Sequence, residues 1–420
     1  MTKPLNKKQV TNNGHKKLVL AYSGGLDTTY CLATFVDQGY EVHAVLVNTG
    51  GFSNEEIAKL LKKGKNAGAH VATCIDVAQK YYDECVRFLL AGNVLKNHSY
   101  PLSVSSERVF QALEIGKYAL KIGADAVAHG STGAGNDQFR FDFVFNAICP
   151  FAEIITPVRD LSIKREDEVS LLNAKGIAVV ENAGTYSVNQ GLWGTSVGGK
   201  ETLTSFETLP EHAWPVKIDH SLEDLTVCID FEQGHPKSIK LENVKAKTEF
   251  AHPVHLIQAL EKIAAPYGVG RAIHVGDTIL GIKGRVGFQA AAAIVLIEAH
   301  RTLEKHVLTK NQIKIKDQIA SIYGELLHGE GFLDPSLDDM KVFFESTQKR
   351  VTGKVKVKLY PRGFEILGSQ SEFDLMDQSV AQYGETNEGW SGQEARHFGK
   401  ILSTSMKIYA GKGAHHLQSN

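Results

Sequence analysis

The sequence predicts an α/β fold: a doubly wound parallel-sheet domain, then an α+β domain, then a C-terminal helical arm. Three observations carry this expectation. Between residues 17 and 182, short apolar runs alternate with segments of helical spacing, the βα rhythm of a parallel sheet covered on both faces. Beyond residue 182 that rhythm stops and paired strand signals replace it. The 420 residues suit two or three cores at about 150 residues per domain. With 43% hydrophobic and 22% charged residues, ordinary globular usage, disorder and coiled coil are excluded as the main state.

The elements follow in order. Residues 1–16 read as a polar extension. Residues 18–22 form a buried strand that ends at a glycine pair. Residues 27–38 then set Cys31, Leu32, Phe35 and Val36 on one helical face, closed by Gly39. Residues 41–47 are a second strand. Ser53 and Glu56 make a capping box ahead of a stripe at Ile57, Leu60 and Leu61, with a stop at Gly68. The mixed charges over 54–65 are that helix's solvated face. Residues 70–75 and 125–129 are further strands. In the second domain, 183–388, the Gly/Ser/Thr-rich stretch 183–215 reads as a long functional loop or domain junction. Strands follow at 225–230 and 238–241, with helices at 253–264, 290–305 and 337–351. Residues 355–360 and 364–367 form a hairpin around Pro361-Arg362-Gly363. Ser391 and Glu394 cap a helix in the arm, 389–420.

Charge narrows the partners. Lys and Arg total 46 against 47 Asp and Glu, so no basic face is called for and no nucleic-acid partner is expected. The five cysteines, Cys31, Cys74, Cys85, Cys149 and Cys228, form no Cys-x-x-Cys pair, which argues against a disulfide framework or thiolate zinc site. The most apolar run, 290–299, is too short to span a bilayer, and the N-terminus has neither signal nor transit composition. The expectation is a soluble, cytoplasmic protein with no membrane partner. His252, His255 and the tail pair His415-His416 lack a matching Cys or carboxylate cluster, so they read as ordinary histidines rather than metal ligands.

The string Ala21-Tyr22-Ser23-Gly24-Gly25-Leu26-Asp27-Thr28-Thr29 lies where the first strand gives way to the first helix. A helix N-terminus offers free N–H groups and partial positive charge, which suit phosphate oxygens. The glycines permit positive φ and close approach of an anion. Ser23, Thr28 and Thr29 add hydroxyl donors, and Asp27 can hold Mg2+ against phosphates. A tight capped turn is the plain alternative, and the full string in this context outweighs it. Residues 194–200 approach a Walker loop, but Glu201 stands where a Ser or Thr should bind magnesium and no apolar strand leads in.

The first string resembles the pyrophosphatase loop of the N-type ATP pyrophosphatases, which cleave ATP between the α and β phosphates. These include GMP, NAD and asparagine synthetases, tRNA thiolation enzymes and argininosuccinate synthase. A second string, Gly130-Ser131-Thr132-Gly133-Ala134-Gly135-Asn136-Asp137-Gln138-Phe139-Arg140-Phe141, should face it across the crevice beyond the strand ends. Its chemistry suits an amino acid: Asp137 for an ammonium, Asn136 as donor and acceptor, Arg140 for a carboxylate. With residues 100–108 and 186–196, this string resembles the argininosuccinate synthase family from about residue 17 to about residue 407.

That resemblance implies an adenine nucleotide alpha hydrolase-like domain, a synthetase and multimerisation domain, and an arm crossing between subunits of a homotetramer. It implies ligation of citrulline and aspartate through citrullyl-AMP, with release of AMP and pyrophosphate. ATP, with Mg2+, would lie on Ala21, Tyr22, Ser23, Gly24, Gly25, Leu26, Asp27, Thr28 and Thr29, near Val47 and Gly130. Thr132, Asn136 and Asp137 would hold aspartate. Tyr100, Ser105, Asn136, Arg140, Ser187 and Ser196 would hold citrulline. Asp27 and Asp137 are the residues implied to serve catalysis. Three positions depart from the family pattern: Ala134 replaces a Lys, and Gly276 and Phe288 replace a citrulline-contacting Glu and Tyr, with Asp277 or Gln289 as local substitutes. A tRNA thiolation enzyme would need reactive cysteines, whereas Cys31 and Cys74 fall in helix or strand interiors. A non-catalytic nucleotide-binding protein would show no citrulline-dependent release of pyrophosphate.

Overall fold

A computed structural model describes residues 15–133, 135–177, 186–242, 244, 246–329, 331–380, 384 and 389–413. Ala134, the tail histidines and most of the polar extension lie outside these residues.

The first part runs β1 (Lys17–Ala21), α1 (Leu26–Asp37), β2 (Glu41–Asn48), α2 (Asn54–Asn66) and β3 (Val71–Asp76). Next come α3 (Ala78–Tyr81), a π-helical turn (Tyr82–Val86), α4 (Arg87–Ala91), α5 (Ser103–Ile122) and β4 (Ala126–Ala128). It closes with α6 (Asp137–Ile148), β5 (Glu153–Ile155), α7 (Pro157–Asp160) and α8 (Arg165–Ala174). The five strands pair in parallel in the order β3-β2-β1-β4-β5. The apolar run of β1 is continuous because both faces are covered: Leu18, Val19 and Leu20 are all fully buried. The capping box of α2 forms as its sequence predicts, with Ser53 accepting from Glu56 N and Glu56 accepting from Ser53 N.

The second part contains β6 (Ser187–Asn189), β7 (Thr195–Gly198), β8 (Leu225–Glu232), β9 (His235–Leu241) and β10 (Thr248–Glu249). Then follow α9 (Pro253–Ala264), β11 (Arg271–Asp277), β12 (Lys283–Gln289), α10 (Ala291–Val307), α11 (Lys310–His328) and α12 (Ser336–Gln348). The hairpin β13 (Gly353–Tyr360) and β14 (Gly363–Gln370) completes a β10-β9-β8-β13-β14 sheet, and β11-β12-β7-β6 forms another, both antiparallel. The apolar run 290–299 is a core helix, with Ala291, Ala292, Val295, Leu296 and Ile297 buried where α10 packs on α9, β13 and β14.

Two expectations need correction. The 183–215 stretch is not one loop, since β6 and β7 lie within it, β6 paired with β7 and β7 with β12. Their brevity hides them from periodicity. The 337–351 helix ends at Gln348, and Val351 N instead bonds the Gln348 carbonyl in a turn that leads into β13.

The arm consists of α13 (Gly392–Leu402) and α14 (Thr404–Gly413). Its capping box at Ser391 and Glu394 is formed, yet no residue of α13 is buried. Phe398, Ile401, Leu402, Met406 and Tyr409 are each more than 60% exposed.

Candidate nucleotide and amino-acid site

The strand order reverses direction at β1. Chain connections leave β1 and β4 toward opposite sides, which opens a crevice beyond their carboxyl ends, the place where ligands bind in open α/β sheets. A cavity of about 670 Å³ fills it.

One wall is the loop between β1 and α1. Gly24 adopts φ of +73°, and the space a Cβ would need is occupied by the Leu60 side chain, so only glycine fits without displacement. Gly25 is the N-cap of α1 and contributes no side chain, which leaves the first N–H groups of the helix unencumbered by a capping group. Thr29 is buried, and its hydroxyl donates to Gly25 O at 2.7 Å, so it braces the loop from behind. Ser23 Oγ and Thr28 Oγ1 share a hydrogen bond of 3.2 Å at the front. Lys63 Nζ donates to Gly24 O at 2.7 Å and brings a positive charge to the loop. The opposite wall is the loop after β4. A Cβ on Gly130 would stand 3.1 Å from Thr28 N and 3.2 Å from Asp27 C, so the two loops meet backbone to backbone.

Asp27 lines the cavity and is hydrogen-bonded to Glu168, which is 2% exposed. Burial first, and then the Asp27 charge, push the Glu168 carboxyl up to about 8. At neutral pH it therefore keeps a proton and donates to Asp27. Glu168 Oε1 has no partner. A carboxylate facing the cleft, backed by a buried carboxyl with spare acceptor capacity, fits a divalent cation that arrives with a nucleotide.

Asp137 stands in the first turn of α6, between two guanidinium groups. Arg108 Nε donates to Oδ2 at 3.1 Å and Arg140 Nη1 donates to Oδ1 at 2.9 Å. Burial works to raise its pKa, but these two cations hold the carboxyl below the ordinary carboxylate range. Arg140 itself is 3% exposed and also donates to the His328 carbonyl at 2.8 Å. Asn136 Oδ1 accepts from Ile279 N at 2.9 Å and ties the loop to the β11–β12 hairpin.

The structure distributes the sequence-derived residues unevenly. Ala21, Tyr22, Ser23, Leu26, Asp27 and Thr28 line the cavity together with Gly25, Val47 and Gly130. Thr132, Asp137 and Ser187 line it as well. Gly24, Thr29, Asn136 and Arg140 stand behind that lining, as do Tyr100, Ser105 and Ser196. Ser105 Oγ is turned to Leu102 O at 3.3 Å, and Ser196 Oγ accepts a long bond of 3.5 Å from Asn189. Tyr100 is buried, stacked on His274 with ring centroids 5.0 Å apart and tilted against Phe288 at 5.4 Å.

Sequence reasoning assigned no role to Arg108, whose three nitrogens reach Asp137, Gln111 Oε1 at 2.7 Å and Asn189 Oδ1 at 2.6 Å. It thus knits α5, α6 and β6 into one wall. It also missed Glu107, a 1% exposed carboxyl that accepts from Thr49 Oγ1 and is pushed up to about 8 by burial. Both sit within residues 100–108, where two adjacent charged residues in an otherwise uncharged stretch were the available signal. His252 caps α9, accepting from Val254 N at 3.3 Å. Cys31 is fully buried, and burial raises its thiol far above the reactive range.

Fold and site together define a parallel α/β domain with a glycine-rich strand-to-helix loop at its switch point, joined to an antiparallel partner domain that closes one side of the cleft. The profile of the Arginosuccinate synthase N-terminal HUP domain matches residues 17–178, and that of the Arginosuccinate synthase C-terminal domain matches residues 186–409. An argininosuccinate synthase of Methanocaldococcus jannaschii is 36% identical over 370 residues, covering 87% of this chain and 91% of that one. One from Dictyoglomus turgidum is 34% identical, covering 95% and 98%, and one from Xanthomonas axonopodis pv. citri is 32% identical, covering 96% of both. The chain belongs to the argininosuccinate synthase family, whose members ligate citrulline and aspartate using ATP. No helix among the described residues is long and apolar enough to cross a membrane.

Proposed function

We propose that the chain forms argininosuccinate in two steps within this one cleft. The ureido oxygen of citrulline attacks the α-phosphorus of ATP, forming citrullyl-AMP and releasing pyrophosphate. The amine of aspartate then attacks the ureido carbon and expels AMP. Neither step requires an enzyme nucleophile, so catalysis rests on alignment and on charge placed where the phosphates depart. The observation that carries this reading is the backbone contact of the two loops at the switch point, Gly130 against Asp27 and Thr28. It supports reading the first loop as the nucleotide loop and the second as the amino-acid loop of one cavity.

Ser23, Thr28 and the first N–H groups of α1 receive the β and γ phosphates, and Lys63 adds positive charge behind them. Asp27, with Glu168 behind it, would hold Mg2+, which when bound offsets charge on the leaving pyrophosphate. Asp137, kept ionised by its two arginines, orients the aspartate amine; Thr132 and Asn136 complete that subsite. Tyr100, Ser105, Arg140, Ser187 and Ser196 surround citrulline. The test is release of pyrophosphate and AMP by purified protein with MgATP. Release that requires both amino acids, with argininosuccinate found by mass, is the expected result; release without them would refute it.

The exposed apolar face of the arm belongs, on the same proposal, against another copy of the chain in a homotetramer. Phe398→Glu combined with Ile401→Glu is expected to shift the species seen by light scattering from tetramer to smaller forms. An unchanged mass would remove the arm from the assembly.

A further inference from the structure

Behind the lining of the cleft, the side chains around Tyr100 carry a charge pattern that ligation alone does not require. The Tyr100–His274 stack is bordered by Arg140 and His328, whose Nη2 and carbonyl oxygen lie 2.8 Å apart. Burial, then the charges of Arg140, Lys96 and His274, bring the His328 imidazole down to about 3, and burial with Lys96 lowers His274 as well. Both rings are therefore neutral in a positive field. The anion that acts on His328 is Asp137, which is already bonded to Arg108 and Arg140. Asp277 is exposed and paired with Lys283.

The two nearby positions able to offer an acidic or hydroxyl partner do not. Phe288 is 1% exposed and packs a tilted hydrocarbon ring against Tyr100. At Gly276 a Cβ would stand 2.6 Å from His274 Nε2 and 3.2 Å from Asn97 Nδ2, so nitrogen groups already border that space. His274 Nδ1 and Arg140 Nε are buried without partners, which leaves hydrogen-bonding capacity unused at this end.

An α-amino acid entering here would bring its ammonium against Arg140 and Lys96. The two acidic groups named here are already taken, Asp137 by Arg108 and Arg140 and Asp277 by Lys283. Like charges held a few ångströms apart with little water are strongly unfavourable, and an unpaired buried charge more so. A nitrogen carrying an acyl group has no charge, and its carbonyl oxygen accepts from N–H donors.

We infer that the ureido substrate of this chain has an acylated, uncharged α-nitrogen, its acyl oxygen received by Asn97 and His274 and its α-carboxylate by Arg140. This rests on the two-step ligation proposed above and sharpens its substrate. Arg140, His274 and Asn97 come from three separate segments, so the subsite exists only in the folded chain.

The experiment compares citrulline, Nα-acetylcitrulline and Nα-succinylcitrulline as co-substrates with MgATP and aspartate, reading kcat/KM from pyrophosphate release. At least a tenfold preference for one of the acylated compounds is expected. Citrulline used equally well or better overturns the inference and leaves the ligation standing. No turnover with any of the three overturns both. Asn97→Asp, on an exposed turn at positive φ that Asp accepts, provides a second reading. It puts a carboxylate where an amide stands, so the ratio should swing at least tenfold toward citrulline. An unmoved ratio removes Asn97 from the subsite and overturns the contact pattern inferred.

Discussion

The two ends of the cleft are built in opposite ways. The phosphate end is built on one continuous strand, loop and helix, and its close contacts fall at glycines: Gly24 against the Leu60 side chain, and Gly130, from the loop after β4, against the Thr28 backbone. The Tyr100 end is assembled from side chains of α6, β11, β12 and α11 with the turn before α5, and its contacts are ring stacks and guanidinium bonds. Backbone architecture tolerates little substitution, because glycine alone allows the approach. Side-chain architecture can change specificity one residue at a time while the fold stays put. On the proposed reading, the chemistry shared by ATP users sits at the first end, and discrimination among ureido acids at the second.

Asp137 joins the two ends, so its loss should separate them most. Asp137→Ala leaves Arg108 and Arg140 facing each other unneutralised. It is expected to cut kcat/KM for aspartate at least 100-fold, about 3 kcal/mol, with the affinity for ATP within a few-fold of normal. An ATP affinity that falls in parallel would break the division between the ends.

Gly130→Ala probes the backbone contact alone. Its methyl must press on Thr28 N, so roughly a tenfold rise in the KM for ATP is expected. A change confined to the amino-acid substrates would contradict the assignment of walls.

Glu168 sharpens the comparison through pH. Its raised pKa means that the folded protein keeps a proton the unfolded chain loses near the ordinary carboxyl value. Stability therefore falls as pH rises from about 4.5 toward 8, and Asp27 gains an ionised neighbour above about 8. The wild-type KM for MgATP should change across pH 8, whereas Glu168→Gln should flatten that profile. A profile identical in both proteins would place the titration elsewhere.

Glu107 gives the smallest effect and lies behind the cleft. Its raised pKa has the same sign, so Glu107→Gln mimics the protonated form. It should raise unfolding stability at pH 8 by at least about 1 kcal/mol, the worth of one pKa unit, with the gain disappearing near pH 5. Urea denaturation at the two pH values would measure it. A gain of equal size at both would mean that packing, rather than charge, sets the cost.

The same contrast explains what the sequence made legible. The parallel domain shows plainly because β1 and β2 are apolar runs closed by glycines, and because a phosphate loop is local, with every residue within nine positions. Asp137 showed through its motif, but its partners did not: Arg108 lies 29 positions away, and only folding brings the two within 3.1 Å. β6 and β7 carry three and four residues, too few to establish a period, and the pairing of β7 with β12 crosses about 90 positions. His274 and His328 looked unremarkable as letters, since a histidine's surroundings are fixed by tertiary packing. The arm's capping box was readable, whereas its unburied apolar face is visible only in three dimensions.

The central place of β1 also fixes an order of events during synthesis. Its pairing with β2 needs only the first 50 or so residues, but its other edge stays open until β4 has been made. Ala21 and Gly130 are separated by about 110 residues, roughly 5 to 20 seconds of elongation at ordinary ribosomal rates. During that interval the nascent chain presents one bare edge of its most hydrophobic strand, an invitation to wrong partners. The phosphate-binding corner is thus begun first and finished late. A pause in translation between codons 50 and 126 would prolong the vulnerable period, and a holding chaperone would act there to greatest effect.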